Sequence, residues 1–541
     1  MLPHAVIATA TALALAGSVR GLSSWYTAPG GTPAGSTTGD KIRGVNLGGW
    51  FILENWMMPD FFSVSPLDQY NVPDEWTYCS ILGKDECLSR LEEHWDTYVT
   101  EDDFRRMANY SMNAVRIPMG YWAWTGLEDF EPYVQSQKPY LERALNWSSY
   151  YGLDVMLDLH GLPGGQNGQD NQGIKGPIEF ANNATNLQRA IDALANMTAF
   201  VTQDKFEGVV KAIELTNEPY ILEYSSAGMD FYSLAEFYVQ GYAAVRANEY
   251  IQPGENEVMV VIHDAFQPLM NWEYFWSEPS LGLNWTNYAL DTHIYGAFGS
   301  SADQTEQEHL DAICSQSSAI AAAQLKFPVI VGEFSLGTNT YCVDYQSCWG
   351  QNLAETIANL TDYDTSLFLR QFWEVQADVY ELSAGWIFWS ANNQLGAPWS
   401  WSQSAAQNWI PEDPTERLYP FNASVSSYCL DTANPLAGDQ NWPYFPGYAN
   451  NISSLAQYFS KQSYASAQAA AVAAIPDTNT SSSSSVASTS ASIVASISSA
   501  SSSVAASTST STSDAASQIN TGLSAVLLAL MCVAVVGLGL V

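Results

Sequence analysis

Short apolar runs recur between Lys41 and Ser460, separated by longer segments whose apolar positions follow helical spacing. Eight runs read as strands: Ile42–Leu47, Ala114–Pro118, Val155–Leu159, Ala212–Thr216, Val258–Ile262, Ala289–Thr292, Val329–Gly332 and Ala384–Trp389. Each is too short for a helix and nearly continuous in apolar residues, as strands covered on both faces are. Helix-like segments lie between them, among them Thr100–Tyr110, Leu141–Tyr151, Leu187–Gln203, Ser233–Asn248 and Glu306–Leu325. Strands alternating with helices predict a parallel sheet, and eight such units predict an α/β fold closed into a (β/α)8 TIM barrel with loop insertions. An open doubly wound sheet is the alternative, but no Gly-rich phosphate turn follows the first run.

A barrel of this kind carries its chemistry where strands run out into the following loops. Polar residues stand at those positions: Asn46, Arg116, His160, Asn217 with Glu218, His263, His293 with Tyr295, and Glu333, with Trp389 closing the eighth run. Glu218 ends Ile213-Glu-Leu-Thr-Asn-Glu-Pro219, where Pro219 stops the strand, and Glu333 ends Val329-Ile-Val-Gly-Glu333. Strands four and seven face each other across a barrel. Two carboxyls so placed are the pattern for cleaving a glycosidic bond by paired acid/base and nucleophile. Repulsion from Glu333 and partial burial are expected to raise the pKa of Glu218 and keep it protonated at rest. Arg116, with its rigid guanidinium fork, is the candidate partner that keeps Glu333 charged. Asp158, Glu214 and Asp291 read as a structural polar network, and His263 has no motif to support a role.

Composition narrows the partners. The 541 residues carry 19 Lys plus Arg against 56 Asp plus Glu, a net charge of −37, which argues against nucleic acid or an anionic membrane surface. A neutral polysaccharide meets no such repulsion. No Cys/His spacing reads as a zinc site, so neither metal nor organic cofactor is expected. Residues 1–21 resemble a secretory signal, and 22–40 read as a flexible leader to a catalytic domain at 41–460. A Ser/Thr-rich stalk follows at 465–520, too poor in apolar residues to fold, and 521–541 form a hydrophobic C-terminal GPI-type signal. A plain transmembrane helix is the alternative for that tail. With Cys532 in the tail, six cysteines remain (79, 87, 314, 342, 348 and 429), and they allow fifteen pairings. Nine Asn-x-Ser/Thr sequons, at Asn109, Asn146, Asn183, Asn196, Asn284, Asn359, Asn422, Asn451 and Asn479, agree with secretion to a cell surface or wall. The only membrane contact expected is through the C-terminal anchor, and the domain is read as a monomer.

An ordered set of motifs carries a family resemblance. They are Arg43-Gly-Val-Asn-Leu-Gly-Gly-Trp-Phe-Ile-Leu-Glu54, Asn113-Ala-Val-Arg-Ile-Pro118, Asp158-Leu-His-Gly161, Pro163-Gly-Gly-Gln-Asn-Gly-Gln-Asp-Asn171, Thr216-Asn-Glu-Pro219, His293-Ile-Tyr295, Gly332-Glu333 and Gly385-Trp-Ile-Phe-Trp389. Together they resemble glycoside hydrolase family 5, and within it the fungal exo-1,3-β-glucanases. The resemblance implies a retaining enzyme with Glu218 as acid/base and Glu333 as nucleophile, acting on a β-glucan polymer or oligosaccharide. It further implies that Asn217 bonds the sugar 2-hydroxyl, that Tyr295 donates to Glu333, and that His160 and His293 line the site. Trp389 would lie under the sugar at the cleavage point, and Glu54, Asp170 and Asn171 would bind its outermost hydroxyls. Two departures touch the acceptor side. Gln169 stands where these enzymes place one aromatic of a pair, though the other, Phe298, is kept; and Ser390-Ala-Asn-Asn-Gln-Leu-Gly396 replaces a usual Trp-Lys pair. Linkage preference therefore stays open between 1,3- and 1,6-linked glucan or another β-glucoside, as does transfer to a second sugar. A noncatalytic glucan-binding wall protein is the reading from a different class.

Overall fold

The computed structural model describes residues 41–418, apart from 177, 182, 222–228, 251–256, 274, 276–284, 299–300, 302–303, 339–362 and 395. Eight parallel strands close into a barrel in sequence order. They are β1 (Ile42–Asn46), β2 (Ala114–Gly120), β3 (Asp154–Gly161), β4 (Val210–Glu214), β5 (Met259–His263), β6 (Tyr288–His293), β7 (Val329–Glu333) and β8 (Gly385–Phe388). Every strand expected from the apolar runs is present, with ends shifted by a few residues at most. The leader, stalk and tail segments lie outside the described residues, as do Cys342, Cys348, Cys429, Cys532 and five of the sequons, at Asn284, Asn359, Asn422, Asn451 and Asn479.

Helices pack around the barrel. Four lie between β1 and β2: α1 (Pro59–Phe62), α2 (Glu75–Leu82), α3 (Lys84–Thr97) and α4 (Glu101–Asn109). Then α5 (Lys138–Tyr151), α6 (Ala184–Val201) and α7 (Phe231–Asn248) follow β2, β3 and β4, while α8 (Glu306–Gln324) and α9 (Tyr363–Tyr380) follow β6 and β7. Local signals set their ends. Thr305 and Glu308 form a reciprocal capping box at the start of α8, and Asp74 caps α2 through the Thr77 amide. Cys79 and Cys87 form a disulfide that ties α2 to α3, which leaves three of the fifteen arrangements, and Cys314 is disulfide-bonded too.

The barrel lumen is layered by strand alternation. Side chains two apart on a strand share a face, so inward positions of β2 run Ala114 then Arg116, and those of β3 run Met156, Asp158, His160. The lower lumen is a compact apolar plug of Ile42, Ala114, Met156, Ala212, Met259, Val261, Ala289, Ile330, Ala384 and Ile387. Above it, the same strands present Arg116, Asp158, Glu214, Asp291 and His293, all buried. The plug forces these polar groups up to one end, where they must satisfy one another. Gly332 in β7 has a packing reason: a Cβ there would lie 2.0 Å from Asp291 Oδ2, and its own amide donates to Asp291 Oδ1 at 2.6 Å.

Candidate active site

Arg116 organises the polar layer. Fully buried, it reaches Glu333 Oε1 at 2.8 Å, Glu214 Oε2 at 2.8 Å and Asp158 Oδ2 at 2.9 Å, and donates to Asn46 at 3.0 Å and Asn217 at 2.9 Å. Five acceptors around one planar cation use the fork geometry that only Arg offers. Arg116 thus serves Glu333 and two further acids, Glu214 and Asp158. Asp158, Glu214 and Asp291 lie in the buried network, as read from their strand positions.

Glu218 follows β4 on a left-handed backbone, φ 43°, which is uncommon for a residue with a side chain. Strain of that kind persists where the surroundings hold it in place, commonly at functional sites. Its Oε1 accepts from His293 Nδ1 at 2.7 Å, and its Oε2 from Asn171 Nδ2 at 3.3 Å. Glu333 Oε2 accepts from the Tyr295 hydroxyl at 2.7 Å and stands 3.4 Å from the same His293 nitrogen. One ring atom thus bridges both carboxylates. Their nearest oxygens can stand no more than about 6 Å apart, which accommodates the spacing of retaining glycosidases, about 5–5.5 Å.

The protonation order differs from the one expected. His293 lies among Glu218, Glu333 and, on its other nitrogen, Asp291 at 3.5 Å, and these acids hold its pKa well above the usual histidine range against the cost of burial. For Glu218, burial acts upward, but the hydrogen bond and charge of His293 outweigh it and the net shift is downward. Burial pushes Glu333 up, opposed by His293 and Arg116. The resting proton of the group therefore sits on His293, with Glu218 ionised. Repulsion between the glutamates is outweighed by a cation the sequence did not place between them.

The other candidates surround this pair. His160 Nδ1 meets Asp158 Oδ2 at 2.5 Å, and its ring lies parallel to Trp389, centroids 5.8 Å apart. Trp389 is almost wholly buried, packed as a floor. The Nδ2 of Asn217 has no partner among the described residues, which leaves a donor for a ligand. Glu54 is buried and accepts from Trp56 Nε1 at 2.9 Å; burial and the nearby Asp170 push its carboxyl well up. Burial likewise raises Asp170. Asn171 stands with Glu218 rather than with these two acids. Phe298 is 54% exposed at the rim, edge-on to Tyr295 at 5.5 Å, and Gln169 is exposed as well.

Three neighbours were not picked from the sequence. Trp399 contacts Trp56, Tyr295 and Phe298, with centroids 5.2, 5.3 and 6.0 Å away, and with Trp56 it completes an aromatic wall. Its signal was the Pro398-Trp-Ser-Trp401 run just past the eighth strand. The divergent loop after Trp389 is fastened to the β1–β2 connection, with Tyr98 at the end of α3 donating to Asn392 O at 3.1 Å and Gln394 N to Met57 O at 2.8 Å. The third neighbour, His263, stands edge-on to His293 with centroids 4.4 Å apart. Glu218, His263 and His293 bring ligand-type atoms within 4.8 Å of one another, as do Glu214, Asp291 and His293. In both sets the His293 ring already faces carboxylates, and a backbone amide already engages His263 Nδ1.

Comparison with known proteins agrees with this geometry. Residues 79–395 match the family described as Cellulase (glycosyl hydrolase family 5). The chain is similar to Glucan 1,3-beta-glucosidase 1 of Schizosaccharomyces pombe, 36% identical over 405 residues that cover 73% of this chain and 93% of that one. It is similar also to Glucan 1,3-beta-glucosidase of Blumeria graminis, 36% identical over 419 residues, covering 73% and 92%. Among solved structures, a rutinosidase from Aspergillus niger shares the fold, with TM-score 0.55, 22% identity and coverage of 68% of this chain and 97% of that one. A closed eight-stranded barrel, strand-end glutamates bridged by one histidine, and kinship along most of the chain lead to one conclusion: this protein is a member of glycosyl hydrolase family 5.

Proposed function

We propose that the protein is a retaining exo-β-glucosidase that removes glucose from the non-reducing end of 1,3-linked β-glucan. The observation that carries this reading is the Glu218–His293–Glu333 bridge, which keeps the nearest oxygens of the two carboxylates within about 6 Å, a span that admits the spacing of a double displacement. Glu333 attacks the anomeric carbon, its charge supported by Arg116 and Tyr295. Glu218 protonates the departing oxygen with the proton that His293 passes along their 2.7 Å hydrogen bond. In the second half Glu218 takes a proton from water, which releases glucose from Glu333 with the β configuration restored. Asn217 donates to the 2-hydroxyl, Trp389 and His160 underlie the ring, and Glu54 with Asp170 binds the far hydroxyls. The buried Glu54 and the half-buried Asp170 at that end support a pocket for a chain terminus, and the 1,3 linkage rests on the relatives' names.

The exposed Gln169 favours a second reading on the acceptor side only, with 1,6-linked glucan, another β-glucoside or a sugar acceptor in place of water. A noncatalytic glucan-binding role would leave the bridged pair without purpose. We read residues 1–21 as a secretory signal, 465–520 as a stalk and 521–541 as a GPI-type signal, placing a monomeric enzyme at the cell surface or wall. No helix among the described residues is long and apolar enough to cross a membrane. Laminarin and pustulan digests with anomeric NMR test the proposal: glucose released as the β-anomer from laminarin is expected. Glu333→Gln should abolish turnover, and substantial hydrolysis by that variant would remove Glu333 from its role.

A further inference from the structure

His263 is buried in the site, and the reaction as derived does not use it. It ends β5, and the next residues turn back on it: Ala265 and Phe266 both take left-handed backbone, φ 54° and 57°. Two such residues in succession, neither glycine, are strained backbone that only the surrounding structure holds in place. The strain has a visible result. The turn aims the Ala265 amide at His263 Nδ1, 2.9 Å away. The turn is itself fastened, since Asp264 Oδ1 accepts from the Phe266 amide at 2.8 Å, Trp272 donates to Asp264 O at 3.1 Å, and Tyr238 donates to His263 O at 2.7 Å.

A nitrogen that accepts a hydrogen bond carries no proton, so the ring's proton must sit on Nε2. Asp264, with Oδ1 3.6 Å from Nδ1, would favour the opposite tautomer, but the amide is nearer and Oδ1 is already engaged by Phe266. Nε2 has no hydrogen-bond partner among the described residues. A ring nitrogen of His263 lies within 4.8 Å of both a Glu218 oxygen and a His293 nitrogen, a span that one bridging water closes. The charged or titratable groups that face His263 are Asp264 on its own turn, Glu218 after β4 and His293 on β6, with Arg116 and His160 acting at longer range. Burial, then the positive neighbours, hold His263 well below the usual histidine range, so it stays neutral.

We propose that His263 is a positioning residue for the acid/base: a neutral imidazole, locked in its Nε2–H form by the Ala265 amide, that offers a donor to the His293–Glu218 pair and leaves His293 as the ring that carries the mobile proton. This rests on the reading of Glu218 as acid/base. Withdrawing the donor makes the pair's surroundings more negative, so the pair holds its proton more tightly.

Two substitutions separate the two nitrogens. Asn places an acceptor near Nδ1 and keeps the turn, but loses the inward donor. Gln places a donor near Nε2 and gives up the turn. The alkaline limb of kcat/KM for an aryl β-glucoside is expected to move up by about half a pH unit or more in His263→Asn, and to stay at the wild-type position in His263→Gln. The reverse pattern, equal shifts in both, or no shift in either overturns the proposal and reduces His263 to a pin for the turn. Ring-nitrogen NMR of histidine-labelled wild type, with the His263 signals identified by their loss in His263→Gln, gives an independent readout. A neutral ring protonated at Nε2 at neutral pH is expected, and a proton on Nδ1 overturns the proposal even if the variants fold poorly. Wild type without hydrolytic activity would strike the acid/base reading instead, while the NMR result would still decide the tautomer.

Discussion

Replacing Arg116 with Met tests how the polar layer is held together. The two side chains are similar in length, so the change removes one charge and five donor contacts with little change in volume. The lost contacts are those to Glu333, Glu214, Asp158, Asn46 and Asn217, all at 2.8–3.0 Å and all buried. At about 1.5–3 kcal/mol per charge-assisted bond, their sum would rival the whole stability of a domain, about 5–15 kcal/mol. That sum cannot be realised, because the stripped acids take up protons first, and a broken buried pair costs about 3–5 kcal/mol. Burial already lifts Glu214 and Glu333 above the usual carboxylate range while Arg116 pulls them down; without it both rise further. Acids whose folded pKa exceeds the unfolded value destabilise the fold only above the unfolded value, about 4.5. The penalty should therefore be small near pH 4.5 and grow to about 3–5 kcal/mol at neutral pH. Urea unfolding followed by tryptophan fluorescence, on both proteins from pH 4.5 to 7.5, measures it. A penalty below about 1 kcal/mol at pH 7, or one that does not change with pH, would refute the account.

Glu75, buried at the start of α2 and bonded to the Leu53 amide at 3.1 Å, has its carboxyl pushed up to about 8 by burial. Between the unfolded value near 4.5 and about 8 the wild type gives up stability that Glu75→Gln keeps, so the variant should gain on it as pH rises, by a few kcal/mol (an order-of-magnitude figure); parallel stability–pH curves would contradict this. Tyr295→Phe removes the 2.7 Å donor to Glu333. It should lower kcat about 10–100-fold with little change in KM, and move the acid limb of the pH–rate profile upward, because the nucleophile loses support for its charged form. An effect confined to KM would place the hydroxyl on substrate binding instead.

The barrel strands were legible because each is a run of apolar residues whose ends are polar, a signal written locally. The helices α4 to α8 were legible for the same reason, each having one apolar face. By contrast α9 was not named: it is buried on nearly every side from Phe368 to Tyr380, and even its polar Arg370, Glu374 and Gln376 are buried. Also not named were α3 and α2, in the second of which the apolar residues Trp76, Tyr78, Cys79, Ile81 and Leu82 crowd one short helix. Glu218 and Glu333 could be picked out because a carboxyl just past an apolar strand has few structural reasons to be there.

The barrel, its polar end and the paired glutamates are written in the order of residues, since strand alternation and strand termination are properties of neighbours in the chain. Which group holds the proton, and which nitrogen of His263 accepts the Ala265 amide, is a matter of folding in three dimensions. Those depend on Nδ1 of His293 lying 2.7 Å from one glutamate and 3.4 Å from the other, and on a strained turn that aims one amide at one imidazole. Charge–charge and hydrogen-bond energies vary with distances of a fraction of an ångström between residues remote in the chain. Closure of the barrel sets such distances.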